Sequence, residues 1–282
     1  MNKLTDTFKL HNGCTIPCIG FGTWQTPDGT TAIESVKVAI NYGYRHIDTA
    51  AVYGNETSVG VGIRQSGIRR EELFLTSKVW NAKRGYKKTL QAFDKTMSDL
   101  QLEYLDLYLI HWPANARQYD NWEEINLETW NAMMELYKKG KIKAIGVSNF
   151  LPHHLKALMA TEVIPMVNQI EFHPGQMQLE TVKFCQENNI LIEAWSPLGT
   201  GRMLKNEVLM RIAEKYNKSV AQLCIRWCLQ NGALPLPKSV TPSRIKENSQ
   251  VFDFVIDEDD MLTINSMPYF GGSGLHPDKI TF

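Results

Sequence analysis

The chain has 282 residues, 43% of them hydrophobic and 21% charged, a balance that supports a packed core and excludes a disordered or fibrous protein. Lys and Arg number 30 against 30 Asp and Glu, so no global field holds nucleic acid or an anionic membrane, and any phosphate binding must be local. Length is compatible with two domains or with a single α/β barrel, which commonly runs to about this size as one unit.

In chain order, Met1 to Gly13 alternates polar and apolar residues without the apolar stretch of a signal peptide. No uninterrupted apolar run of about 18 residues follows, so a cytoplasmic chain with no membrane span is expected. Residues 8–16 read as a hairpin, two short strands around an Asn12-Gly13 turn. Short apolar runs then alternate with amphipathic segments. Strands are predicted at 18–22, 44–48, 73–78, 105–111, 144–148, 166–169, 190–195 and 233–238. Helices are predicted at 30–42, 56–65, 86–100, 127–139, 155–160, 179–187, 207–216 and 220–230. In the last of these, Val220, Leu223, Cys224, Trp227 and Cys228 form a stripe that marks a packed face. From Gly22 to Lys238 the strand ends recur about every 31 residues, the length of a βαβ unit. Eight such units, in one domain over residues 1–282, make a (β/α)8 TIM barrel preceded by the hairpin.

Cys14, Cys18, Cys185, Cys224 and Cys228 are sparse and odd in number, unlike a secreted disulfide framework. Cys224 and Cys228 have no second ligand pair nearby and read as buried thiols, so no metal is expected. A doubly wound nucleotide-binding sheet would carry G-x-G-x-x-G after its first strand. Gly20-Phe21-Gly22 has Gln25 in place of the third glycine, and Gly60-Val61-Gly62 has Gln65. No Walker-type loop occurs, since Gly140-Lys141 runs on into Ile142 with Glu135 upstream. Gly146-Val147-Ser148-Asn149-Phe150 lacks the second glycine of a nucleophile elbow, and H-E-x-x-H is absent.

Active sites of such barrels gather at the C-terminal ends of the strands, and here those ends are polar. They read His46-Ile47-Asp48, Thr76-Ser77-Lys78, Ile110-His111-Trp112, Gly146-Val147-Ser148-Asn149, Asn168-Gln169, Glu193-Ala194-Trp195-Ser196 and Pro237-Lys238-Ser239. Asp48 and Lys78 end runs that otherwise read as buried, where a lone charge is costly unless paired. A structural ion pair accounts for these two equally well. Tyr53 and His111 taken singly read as hydrogen-bonded packing residues. All four at the same end of successive strands point to chemistry.

Asp48, Tyr53, Lys78 and His111 match the catalytic tetrad of the aldo-keto reductases in identity, order and spacing. Gly20-Phe21-Gly22-Thr23-Trp24, the stretch from His46 to Glu56, Gly146 to Phe150, Asn168 to Glu171 and Leu236 to Pro242 also resemble family signatures, across nearly the whole chain. The resemblance implies hydride transfer from NADPH to a small carbonyl substrate, an aldehyde or a ketone. Tyr53 would be the general acid, its pKa lowered by Lys78, which Asp48 keeps charged and aimed. A neutral His111 would polarise the carbonyl. By the same resemblance Ser148, Asn149 and Gln169 hold the carboxamide of the nicotinamide, and Trp195 stacks on its ring. Ser196, Leu198 and Gly199 line the pyrophosphate path, and Lys238, Ser239, Arg244 and Asn248 surround the adenosine end. Gly22, Thr23, Trp24, Asp48, Thr241 and Glu247 complete the expected cofactor-binding set.

Lys238, Ser239 and Arg244 offer two cations and a hydroxyl, a donor set suited to a 2′-phosphate and hence to NADPH over NADH. Trp24, Trp80, His111 and Trp112 are the expected substrate wall. The loop after Trp112 and the tail after Met267 are short, which resembles the compact prokaryotic members that reduce glyoxals, diketo sugar acids and assorted aldehydes. A monomer is expected. Two other functions stay open on sequence: a Schiff-base aldolase using Lys78 as nucleophile, and a non-enzymatic NADPH-binding redox sensor.

Overall fold

The computed structural model describes residues 1–282. Strands β1 (Thr7–Lys9) and β2 (Thr15–Pro17) pair antiparallel with Phe8 opposite Ile16, as the Asn12-Gly13 turn predicts. Asn12 Nδ2 donates to the Lys143 carbonyl at 3.0 Å, and His11 Nε2 lies 3.2 Å from the Pro165 carbonyl. The hairpin therefore covers the N-terminal ends of two barrel strands, at the end of the barrel away from the polar strand ends.

Eight strands follow in one parallel sheet ordered as in the chain. They are β3 (Phe21–Gly22), β4 (His46–Asp48), β5 (Phe74–Val79), β6 (Leu105–Ile110), β7 (Ile142–Ser148), β8 (Val167–Glu171), β9 (Leu191–Trp195) and β10 (Leu234–Leu236). Every residue of β5, β6 and β8 is buried, as expected for parallel strands covered on both faces. Gly20 N donates to Pro235 O and Gly22 N to Pro237 O, both at 3.0 Å, and these bonds bring the last strand against the first. A Cβ on Gly20 would stand 2.4 Å from Leu236 Cδ2 and 2.6 Å from His46 Nδ1, so this seam demands glycine.

The helices are α1 (Thr30–Asn41), α2 (Glu56–Gln65), α3 (Tyr86–Leu100), α4 (Trp122–Lys138), α5 (Pro152–Leu158), α6 (Leu179–Glu187), α7 (Glu207–Lys215), α8 (Val220–Gln230), α9 (Pro242–Ser249) and α10 (Glu258–Asn265). The expected pairing of strands with helices needs one correction. Both α7 and α8 lie between β9 and β10, so α7 is an addition, and the partner of β10 is α9. That helix has Pro at its start and buries only Ile245, Asn248 and Ser249, too thin a stripe to register as a period. Helix α4 starts at Trp122, ahead of the apolar repeat that begins at Leu127, because Glu123 and Glu124 suit the positive end of a helix. Helix α8 is capped by Ser219 and Gln222, each accepting the other's backbone N–H. Its Cys224 and Cys228 are free, fully buried thiols.

The tail after α10 runs back over the polar end of the barrel. Ser273 donates from its N–H and its hydroxyl to Glu171, both at 2.7 Å, and Asn115 Nδ2 donates to the Pro277 and Ile280 carbonyls. No helix is long and apolar enough to cross a membrane.

Candidate active site

The parallel register brings Asp48 and Lys78 to the C-terminal ends of β4 and β5, with His111 one residue past β6. Tyr53 comes from a single 3-10 turn over Ala51–Tyr53, ended by Gly54 at φ 69°, where a glycine meets no steric penalty. Asn55 fixes this turn. Fully buried, it accepts from Thr49 Oγ1 at 3.0 Å and donates to the carbonyls of Thr23 and Thr26 at 3.0 and 3.1 Å. Thr23 in turn donates from its hydroxyl and its N–H to the Asp48 carbonyl.

The Lys78 ammonium is wholly buried and faces four acceptors: Asp48 Oδ1 at 2.7 Å, Asp48 Oδ2 at 2.8 Å, the Thr49 carbonyl at 3.0 Å and the Tyr53 hydroxyl at 3.3 Å. Burial pulls its pKa down, but the charge and hydrogen bonds of Asp48 and Tyr53 outweigh burial and the net shift is upward. A lysine held this firmly as an ammonium is a poor Schiff-base nucleophile, which counts against the aldolase reading. Burial raises the Tyr53 pKa most, Lys78 pulls it down as expected, Asp48 pushes it back, and the net is upward. The ammonium charge is spent mainly on the closer Asp48, so too little remains to offset desolvation of a phenolate. His111 behaves as expected: burial, then the Lys78 charge, hold its pKa well below 6.5, and the ring is neutral at pH 7.

Around this core the mouth is aromatic. His111 stands edge-on to Tyr53 and to Trp80, with ring centroids 5.6 and 5.3 Å apart. Phe282 stacks on Trp80 at 5.6 Å and meets Trp112 edge-on at 5.7 Å. Sequence reasoning placed Trp80 and Trp112 here but not Phe282, whose position depends on the tail folding back. Trp24 is 44% exposed at the rim.

The residues expected to hold a nicotinamide cofactor form a connected arc. Ser148 Oγ donates to the Gln169 carbonyl at 2.7 Å, Asn149 Nδ2 to the His111 carbonyl at 3.0 Å, and Trp195 Nε1 to Asn149 Oδ1 at 2.8 Å. Asn149 at φ 63° and Ser196 at φ 49° adopt left-handed backbone, tolerable for Asn and strained for Ser, as is common at ligand sites. Gln169 Nε2 donates to Asp48 Oδ2 at 2.9 Å and to Glu193 Oε2 at 2.7 Å, which leaves its Oε1 free to accept. Farther along, Ser196 and Leu198 are half-buried, and Gly199 turns at φ 53°. Lys238 donates only to the Gln25 carbonyl, at 3.1 Å, and partial burial lowers its pKa. Arg244 is exposed on the first turn of α9, Glu247 is half-buried and Asn248 buried, while Ser239 Oγ accepts the Thr241 N–H at 3.1 Å. A partly buried lysine without a carboxylate partner, followed along the chain by Ser239 and Arg244, offers the donor chemistry of an anion site. These residues fit a phosphorylated nicotinamide cofactor.

The sequence matches the aldo/keto reductase family over residues 18–268. It is 52% identical over 281 residues to glyoxal reductase of Bacillus subtilis (strain 168), covering 99% of both chains. It is 42% identical over 274 residues to methylglyoxal reductase DkgA of Escherichia coli (strain K12), covering 96% of both. Among solved structures it superposes on a mutant of Gox0644 in complex with NADPH with a TM-score of 0.91, at 44% identity and with 99% of each chain covered. With eight parallel strands, the hairpin and this alignment along its length, the chain belongs to the aldo/keto reductase family.

Proposed function

We propose that this chain reduces small aldehydes and ketones to alcohols with NADPH, Tyr53 serving as the proton donor. The observation that carries the reading is the Lys78 ammonium, 2.7 Å from Asp48 and 3.3 Å from the Tyr53 hydroxyl beneath an aromatic mouth. Bound NADPH supplies a hydride to the carbonyl carbon. As the carbonyl oxygen gains charge, Tyr53 gives it a proton. Its raised pKa keeps the phenol protonated and ready at pH 7, and the Lys78 charge is felt most once the phenolate forms, so it favours the transition state over the ground state. Asp48 keeps Lys78 charged and fixed. The neutral His111 ring donates a hydrogen bond that polarises the carbonyl, and Trp24, Trp80 and Trp112 exclude water from the reacting atoms.

Ser148, Asn149 and Gln169 orient the carboxamide and Trp195 stacks on the ring. Gly22, Thr23, Ser196, Leu198 and Gly199 border the cofactor's length, and Lys238, Ser239, Thr241, Arg244, Glu247 and Asn248 hold its adenosine end. The names of the two relatives point to 2-oxoaldehydes as the substrate class. The balanced charge supplies no field to hold nucleic acid, and we take the chain as a monomeric cytoplasmic enzyme with one domain over residues 1–282.

The test is loss of NADPH absorbance with methylglyoxal and a panel of aldehydes and ketones. Turnover that Tyr53→Phe lowers by about 10²- to 10⁴-fold is the expected result. Tight NADPH binding without turnover of any carbonyl would replace the reductase with a redox sensor.

A further inference from the structure

Beneath the tetrad, inside the barrel, lies a carboxyl group that the mechanism above does not use. Glu193 is fully buried on β9, with Gln169 beside it on β8 and Leu234 on β10. The titratable groups facing it are His46 and Asp48 on β4 and Lys78 on β5; β8 and β10 contribute only an amide and apolar side chains at that level. Its Oε2 accepts one hydrogen of Gln169 Nε2 at 2.7 Å, and Asp48 Oδ2 accepts from the same nitrogen at 2.9 Å. Its Oε1 has no partner, 3.9 Å from His46 Nε2.

One amide nitrogen held between two carboxyl groups has a consequence for the other end of the amide. Both hydrogens of Gln169 Nε2 point down, toward Asp48 and Glu193. Turning the amide over would set its oxygen against the Asp48 carboxylate, so the amide cannot flip and its oxygen is the atom left for a ligand. An acceptor at that point selects a partner with an N–H to give, such as a primary carboxamide.

We propose that Glu193 is a positioning residue for the reduction, acting through Gln169: it shares the amide nitrogen with Asp48 and so fixes Gln169 with its oxygen turned to the nicotinamide carboxamide. This rests on the reading that Gln169 meets the cofactor. Glu193 does this as a neutral acid, because burial and the neighbouring Asp48 charge push its pKa up to about 8. A second full negative charge beside Asp48 is thereby avoided at pH 7, while the carbonyl oxygen of the acid still accepts from Gln169.

Three variants and two readouts test the proposal. Glu193→Leu removes the second acceptor at similar volume, and NADPH affinity, measured by quenching of tryptophan fluorescence, should fall about 3- to 10-fold, the scale of one hydrogen bond. Glu193→Gln keeps a carbonyl at the same place and should recover the affinity lost in Glu193→Leu. Gln169→Leu calibrates the underlying reading, and it should weaken NADPH at least as much as Glu193→Leu does. The second readout needs no cofactor. In 15N-labelled protein without NADPH, the Gln169 side-chain amide hydrogens should be slow to exchange in the wild type and in Glu193→Gln, and should shift near pH 8 only in the wild type. Fast exchange in the wild type would overturn the proposal even if Glu193→Leu failed to fold. Unchanged NADPH affinity in Glu193→Leu beside weakened affinity in Gln169→Leu would overturn the positioning role alone. Unchanged affinity in Gln169→Leu would instead overturn the placement of Gln169 at the cofactor.

Discussion

Replacing Lys78 by Met removes the one cation that Asp48 contacts, with its hydrogen bonds, while keeping nearly the same volume, so no large cavity is left. Asp48 is 3% exposed and would retain only the Gln169 donor. Breaking a buried pair by removing one partner costs about 3–5 kcal/mol. The expected destabilisation at pH 7 is therefore about 3–5 kcal/mol. Adding Asp48→Asn removes the stranded charge and should restore at least about 2 kcal/mol at pH 7. Urea unfolding followed by tryptophan fluorescence at pH 7 measures all three proteins. A loss under about 1 kcal/mol would show that Asp48 finds another counter-charge and that the Lys78–Asp48 pair does not organise the site.

Three further outcomes are expected. Tyr53→Phe should lower kcat by about 10²- to 10⁴-fold while leaving the NADPH dissociation constant within a few-fold, since the hydroxyl acts on the substrate side; near wild-type kcat would remove Tyr53 as the acid. Arg244→Ala should weaken NADPH about tenfold, the low end for a charge-assisted bond because the side chain is exposed, and should barely change NADH. Equal losses for the two cofactors would place Arg244 at the adenine or the loop instead of the 2′-phosphate. The pH dependence of stability should be shaped from both sides by buried groups. Glu193, raised to about 8, binds its proton more tightly folded than unfolded, so its contribution is complete below its ordinary 4.5 and is lost as pH rises through about 8. His46, held down to about 3 by burial and then by Lys78, is the opposite case, and its contribution is complete above 6.5 and lost as pH falls toward 3. Thermal unfolding across pH 3 to 9 should show Glu193→Gln flattening the alkaline limb and His46→Gln the acid limb; wild-type slopes in both variants would contradict the assignment.

Most of the barrel was legible from local pattern. Fully buried parallel strands are short apolar runs, and the repeat near 31 residues leaves little but successive βα units. The polar residues that end those runs were legible as a group for the same reason, since a charge at the end of a buried strand needs a partner at the same end of the barrel. Elements held by few apolar contacts were not. Helix α9 buries too little to show a period, and β3 has only two residues because glycines at the seam trade propensity for close approach to β10.

What only the tertiary structure decided is how the polar groups share one another. Gln169 lies 121 positions from Asp48, and no spacing rule foretells that its nitrogen is claimed by Asp48 and Glu193 together, leaving the oxygen outward. Glu193 was visible in sequence as the polar residue opening the end of strand β9, without a role. Likewise the direction of the Tyr53 pKa is a balance between burial and a charge already committed to Asp48, and such a balance is set by distances. Sequence by itself determined which chemical groups meet at the mouth, because backbone periodicity sends them there. Only the closed barrel decided which of them are bonded, which are neutral and which remain free, because those outcomes depend on ångström separations between strands far apart in the chain.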